Sequence, residues 1–292
     1  MLKQFVGLLL CLLLLPPFAQ AFDASEKPLE ASDKPLEEKK RFTRWYFSLG
    51  PYWALLDTDL SVGINSNALG LTLDVEKLLG LETQTFTFRI DGAYRAGRNG
   101  RHRVGLSWFA FYRTGENTLA EDVELPPDLG GGEIPIGTTL EGKFNIDIIK
   151  ATYRYSIILD DRIDLNVGGG LYIAPVTFGV GVKDTNFEET SLTAPLPVVG
   201  LGLIAALTPR WYVMGQADLM YLEIGNYKGG VQNNVLGVEY RPFKKVGFGL
   251  RAESLKLRVE VEDKTDVPGL ENFIGDLRFK YVGGSVYMSV FF

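Results

Sequence analysis

The 292-residue chain holds one cysteine and one histidine, and neither can organise it. Cys11 lies inside an apolar run near the start, and "LLLC" lacks the small residue that precedes a lipidated cysteine. Disulfides therefore cannot hold this chain together. A lone histidine argues against a His-based metal site. Any Ser–His–Asp arrangement would have to use that same residue, His102. It falls in "GRNGRHR", beside a predicted tight turn, where an interfacial residue in a basic turn is the plainer reading. A basic excess is also missing: the net charge is −6 and the pI about 5.1, which argues against nucleic acid as a partner. After the first 21 residues no apolar stretch is long enough for a transmembrane helix. The best of them, "APLPVVGLGLIAAL", is short and carries two prolines near its start.

What is present begins with "MLKQFVGLLLCLLLLPPFAQAF". One lysine, an apolar run from Phe5 to Leu15 and a small-residue site at Ala19-Gln20-Ala21 give the layout of a secretory signal peptide, residues 1–21. Residues 22–42 are charged, contain the tandem pair "ASEKPLE" and "ASDKPLE", and hold few large apolar side chains. Such a segment cannot offset the entropy of ordering and is expected to be a disordered lead-in.

From residue 43 to 292 the pattern changes to alternation. Trp45, Phe47, Leu49, Pro51 and Trp53 share one face; Phe86, Phe88, Ile90 and Tyr94 another; Val104, Leu106, Trp108, Ala110 and Tyr112 a third. Period two is the strand signal, and 33 glycines with 18 Phe and 13 Tyr suit strands and turns. Strands are expected near 44–56, 83–96, 102–115, 138–158, 162–183, 195–207, 210–225, 231–242, 246–262 and 274–292. The segments are long against a usual ~5–6 residues. Aromatics such as Trp45, Trp53, Phe86, Tyr94, Trp211 and Tyr221 sit near the ends of the apolar faces, as in a membrane girdle. Connections alternate between tight ("GRNG", "DDR", "TPR", "FKK") and longer (57–82, 116–138, 184–194, 263–273). The fold class is thus all-β: a transmembrane antiparallel up-and-down β-barrel of about ten strands, with eight or twelve left open by 57–82. Alternation slips near Ile148–Ile149, Glu253–Leu255 and Gly283–Gly284, and a β-bulge or twist at each would restore the faces.

These features, with the terminal "GGSVYMSVFF", resemble the bacterial outer-membrane β-barrel proteins of the small OmpA-like sort, from Thr43 to Phe292. The resemblance implies a location in the outer membrane of a Gram-negative bacterium after signal-peptide cleavage. It implies outer-membrane lipid, lipopolysaccharide and, during biogenesis, the barrel-assembly machinery as partners. It also implies that Val286, Met288, Val290 and Phe292 form the assembly signal. It implies no particular activity.

Twelve charged residues are expected to point into the lumen: Arg89, Asp91, Arg95, Arg103, Arg113, Arg154, Asp164, Asp218, Glu239, Arg241, Arg251 and Glu253. Both signs in a small bore suggest paired charges that plug it, since about ten strands leave little free space. Gly200-x-Gly202-x-x-Ala205 has the outline of a dinucleotide fingerprint but lacks the strand–turn–helix context, so no cofactor is expected. Acidic residues at Glu116, Glu121, Asp122, Glu124, Asp128 and Glu133 match no calcium loop. The expected function is non-enzymatic, structural or small-ligand-binding. A narrow channel for small polar solutes is the alternative, and an outer-membrane enzyme acting on lipid or peptide is less favoured.

Overall fold

A computed structural model describes residues 42–62, 72–125, 132–183, 187–225, 227–261 and 275–292. The expected leader at 1–21 and all but the last residue of the lead-in at 22–42 lie outside the described residues. Thirteen strands are β1 (Trp45–Val62), β2 (Thr72–Asp74), β3 (Gln84–Ala96), β4 (His102–Thr118), β5 (Val123–Leu125), β6 (Gly132–Ile134), β7 (Thr139–Leu159), β8 (Ile163–Val182), β9 (Phe187–Ala206), β10 (Trp211–Ile224), β11 (Tyr227–Tyr240), β12 (Val246–Val261) and β13 (Gly275–Phe291). One short helix, α1 (Val75–Leu79), follows β2.

Ten of these strands form the wall, in the order β1-β3-β4-β7-β8-β9-β10-β11-β12-β13. Every neighbour pair is antiparallel, and β13 closes onto β1, with Phe47 opposite Val290. Trp45 and Phe292 exchange backbone hydrogen bonds at 2.8 and 3.1 Å, so both chain ends of the barrel lie at one rim. Closure leaves no unpaired edge, which is what a strand-built chain needs in lipid. Tight turns occupy the same rim as the chain ends. In the one at 160–162, Asp160 accepts the backbone N–H of Arg162 and Ile163 at 2.7 Å, which holds its carboxyl below the usual aspartate range. At the opposite rim the connections are uneven. One expected long one, 184–194, is short: four residues, 183–186, separate β8 from β9, because β9 begins at Phe187 rather than near 195. The segment 57–82, which left the strand count open, holds an extension of β1, a short strand and a short helix among its described residues. β1 continues to Val62, β2 pairs back on it, and α1 turns inward.

The three expected slips are not bulges. Pairing of β7, β12 and β13 runs without a shift through Ile148–Ile149, Glu253–Leu255 and Gly283–Gly284. The one shift in β7 lies between Ser156 and Ile158. What changes at those points is the solvent outside the wall. In β12 the odd positions face inward throughout: Arg251 and Glu253, then Leu255, Leu257, Val259 and Val261. The even positions face outward: Phe248 and Leu250, then Lys256, Arg258 and Glu260. β13 repeats this, with Ser285 and Tyr287 inward near the turn rim and Leu277, Phe279 and Tyr281 inward beyond. β7 does so as well, with Arg154 and Lys150 inward below and Ile148, Ile146 and Phe144 above.

The barrel therefore has two zones. Near the turn rim the exterior is apolar, with Val199, Leu201 and Leu250 exposed by more than half, and the interior is charged. Aromatic pairs mark this belt: Trp45–Tyr94 at 4.4 Å and Trp211–Tyr240 at 4.8 Å at one margin, Trp53–Phe86 at 5.5 Å at the other. Eight residues separate Trp45 from Trp53, about 21 Å at ~3.4 Å per residue and ~40° tilt, close to the apolar height of an outer-membrane barrel. Beyond the second margin the exterior carries ion pairs such as Lys143–Glu189 at 2.7 Å and Arg278–Asp276 at 2.6 Å. There the interior holds an apolar core.

α1 helps close that outer core. β3 and β4 pair only from Ile90–Trp108 to Ala96–His102; above this, residues 76–83 enter. Thr83 accepts a hydrogen bond from the Leu56 backbone, and Leu79 is 1% exposed. Gly115 permits the approach: a Cβ there would lie 2.4 Å from the Gly80 carbonyl oxygen. The neighbouring Gly80 has a positive φ of 63°, a conformation glycine adopts without strain.

The lumen as candidate functional site

Each strand of the turn-rim zone sends alternate residues inward, so a charge every second residue becomes a column inside the barrel. Strand pairing then sets columns side by side. All twelve expected lumen residues lie on inward positions. Arg89, Asp91, Arg251 and Glu253 meet Lys150 in one network. Glu253 accepts from both Arg89 and Lys150, while Asp91 accepts from Arg89 Nε at 2.9 Å and from Arg251. Ser48 donates to Asp91 at 3.1 Å, and Asn233 Oδ1 lies 3.1 Å from Lys150 Nζ. Two further pairs lie toward the turn rim: Arg95–Asp164 and Arg154–Asp218. Asp218 also accepts from Tyr172 at 2.5 Å and Gln216 at 2.6 Å. Glu239 accepts from Arg241 Nε at 2.6 Å and from the Tyr46 hydroxyl at 3.0 Å. Arg103 stands among these groups without an ion pair among the described residues.

Arg113 is the exception in placement. It lies in the outer zone, buried, with Nη1 2.5 Å from Glu76 of α1 and Nη2 2.9 Å from Thr58 Oγ1. Glu76 also accepts the Thr58 backbone N–H at 3.0 Å. The triad ties α1 to β1 and β4 under the outer rim. Lys150, Glu76, Asn233, the half-buried Tyr46 and the buried Tyr172 were not expected in the lumen. Lys150 shares the parity of Arg154 and was readable once the faces of β7 are continuous. Glu76 belongs to a connection, and no period fixes where a connection folds.

Where the zones meet, the charged network ends against rings. Lys150 Nζ lies 5.2 Å above Phe109 and 5.0 Å from the Tyr172 ring, and Arg89 lies 5.0 Å above Phe109. Behind them Tyr52, Phe109, Phe111, Phe144, Phe279 and Tyr281 are each at most 1% exposed and stack at 5.4–6.5 Å. On the turn-rim side is a cavity of about 140 Å³. Its lining runs from Arg44 and Tyr46 past Arg95, Arg103 and Arg154 to Lys150.

His102 faces outward at the turn rim. Its Nδ1 is 2.7 Å from the Tyr153 hydroxyl and its ring packs edge-on to Tyr155 at 5.3 Å. It stands on the wall face opposite to the lumen acids. Gly200 and Gly202 lie in β9 facing the lumen, where a Cβ would meet Asp218 Oδ1 at 2.0 Å and Asn166 Oδ1 at 2.5 Å. They make room for side chains across the wall, and no helix follows them. Of the expected terminal signal, Val286 and Phe292 are exposed on the outer face. Met288 is half-buried there, and Val290 sits between Phe47 and Val246 on the adjoining strands.

No family model and no curated protein matches the chain. Among solved structures it is similar to the outer membrane protease OmpT of Escherichia coli, at 7% identity over 89% of this chain and 100% of that one, with a TM-score of 0.48. It is also similar to the translocator domain of the autotransporter NalP of Neisseria meningitidis, at 10% identity over 99% and 96% of the two chains and a TM-score of 0.35. A third is Ail, the attachment invasion locus protein of Yersinia pestis, at 10% identity over 84% and 99% and a TM-score of 0.34. At these identities no activity transfers. The architecture rests on this chain's own closure, apolar belt and uneven rims: ten antiparallel strands in a closed β-barrel of the bacterial outer-membrane type.

Proposed function

We propose that this chain is a non-enzymatic integral protein of the outer membrane, with a structural or small-ligand-binding role and a closed lumen. One observation carries the reading: the outer half of the bore is filled by a dry aromatic and aliphatic core, with Tyr52, Phe109, Phe279 and Ile146 fully buried. A solute entering from the turn rim would meet charged pairs and then this core. Its packed rings and aliphatic side chains stand across the way. The turn rim faces the periplasm and the outer zone stands above the membrane, as short periplasmic turns imply. Lipid covers the belt, and lipopolysaccharide meets its outer margin. The expected experiment is a planar-bilayer recording of the refolded barrel, which should show no stable conductance. Reproducible unitary steps would replace this reading with the narrow channel.

The alternation of Val286, Met288, Val290 and Phe292 on the outer face supports reading β13 as the strand presented to the barrel-assembly machinery. Deleting Phe292 leaves the buried, inward-facing Phe291 as the last residue and removes the backbone N–H and C=O bonded to Trp45 and the outward ring 6.3 Å from Phe47. The deletion is expected to leave most of the protein in the periplasm. Cell fractionation with the same amount in the outer membrane as for the full chain would remove the signal reading.

A further inference from the structure

Inside the turn-rim zone the described charges do not balance. Arg89, Arg95, Arg103, Lys150, Arg154, Arg241 and Arg251 face Asp91, Asp164, Asp218, Glu239 and Glu253, seven cations to five anions. An unbalanced charge pair in a narrow, low-dielectric bore is costly and calls for a counter-charge.

The excess is concentrated. Arg95, Arg103 and Arg154 are direct cross-strand partners on β3, β4 and β7, so three guanidinium stems leave the wall side by side. Neighbouring strands lie only ~4.8 Å apart. Arg95 is held by Asp164 and donates to the Gly100 carbonyl at 3.2 Å. Arg154 uses Nη2 on Asp218, and its Nη1 is buried without a partner. Arg103 makes no ion pair among the described residues, although Arg95 and Arg154 on either side of it do. Nearby Asn166 Oδ1 is a buried acceptor without a donor. Arg95, Arg103, Arg154 and Asn166 all line the same cavity, which Arg44 flanks at its exposed end. About 140 Å³ holds a phosphate-sized group with several waters, given ~10–15 Å³ needed per water.

We propose that this cavity binds one small, doubly charged oxyanion against Arg103, Arg154 and Arg95. Two negative charges match the excess of two. The idle Nη1 of Arg154 and the fork of Arg103 supply charge-assisted donors, and Asn166 accepts from a protonated oxygen where the anion carries one. The proposal rests on the ligand-binding form of the reading above, with the lumen reached from the turn rim alone.

The test uses the refolded full barrel in detergent micelles, with sodium sulfate and inorganic phosphate as probes in calorimetric titration. Chloride at matched ionic strength is the reference. One saturable site per barrel is expected for both probes and none for chloride. Arg103→Gln is expected to weaken sulfate about tenfold or more, while Arg278→Gln on the outer wall leaves it unchanged. Should Arg103→Gln fail to fold, the unchanged barrel decides: sulfate should raise its unfolding temperature by several degrees over chloride. No saturable heat up to about 10 mM sulfate, no rise over chloride, or equal binding by a folded Arg103→Gln would overturn the site. Silent bilayers with no sulfate binding would remove the site and leave the closed lumen standing. A stable sulfate current with saturable binding would do the reverse.

Discussion

Replacing Glu253 with glutamine is expected to remove about 3–5 kcal/mol of stability, the typical cost of leaving a buried charge without its partner. Glu253 is the carboxylate that Arg89 and Lys150 share, and its side chain is fully enclosed. The amide keeps the shape and one acceptor oxygen but loses the charge. Arg89 would then rely on Asp91, which Arg251 already engages, and Lys150 on the neutral Asn233. Neither cation can turn out to bulk solvent, since each is at most 6% exposed. Glu116→Gln provides the contrast. Its pair with Lys183 is short, at 2.6 Å, but 55% and 44% exposed on the outer wall, and should be worth below about 1 kcal/mol. Denaturant unfolding in micelles, followed by tryptophan fluorescence, measures both. A loss under about 1 kcal/mol for Glu253→Gln would mean that water screens the network, and the reading of a tightly paired, charge-plugged half of the lumen would fall with it.

The same network shows why two zones coexist in one wall. A strand has one inward and one outward face along its whole length, and nothing in its geometry changes at the membrane margin. The surroundings change. In the belt, lipid takes the apolar side chains outside, so the interior is free to be polar provided the charges pair. Above the belt, water takes the polar side chains, and the interior must be apolar as in a soluble domain. Trp108 and Tyr112 both donate to Asp147 at 3.0 and 3.1 Å on the outer wall of β4 and β7, an arrangement suited to the margin where one end of the ring is wet.

Much of this was legible in the sequence, and the failures have a common cause. Strand positions and the inward charges followed from period two, because within the belt apolar means outward. Beyond the belt apolar means inward, and the crossover looks like a missed residue. Ile148 and Ile149 are the clearest case. Ile148 is a core residue of the outer zone, Ile149 a wall residue at the belt's margin, and adjacent apolar residues hid that Lys150 keeps the inward parity of Arg154. Glu253 and Leu255 likewise sit on one face, charged below and apolar above. The Glu76–Arg113–Thr58 tie was out of reach for a different reason. It depends on a connection folding into the bore, which hydrophobic period does not encode. The Arg103 row needed registers across β3, β4 and β7, since no single segment shows three arginines together.

Phe279→Ala is expected to cost about 3–5 kcal/mol, as for a large ring removed from a packed protein core. The ring is fully buried, stacked on Phe144 at 5.9 Å and set 6.0 Å from Tyr281 and 6.5 Å from Phe111. Its neighbours belong to β4, β7 and β13, which the barrel holds in fixed pairing, so the wall cannot collapse into the space. Lys256→Ala, exposed on the outward face of β12 in the same zone, should stay within about 0.5 kcal/mol. The two substitutions together separate the readings of the outer zone. If it has a soluble-type core, Phe279→Ala costs the same in micelles of short- and long-chain detergent, because no detergent reaches the ring. If detergent chains enter the outer bore, they fill the lost volume, the cost drops toward that of Lys256→Ala, and it varies with chain length. Unfolding midpoints in two maltoside detergents distinguish these outcomes. The first result would fix the outer half of the barrel as a packed protein interior held above the membrane.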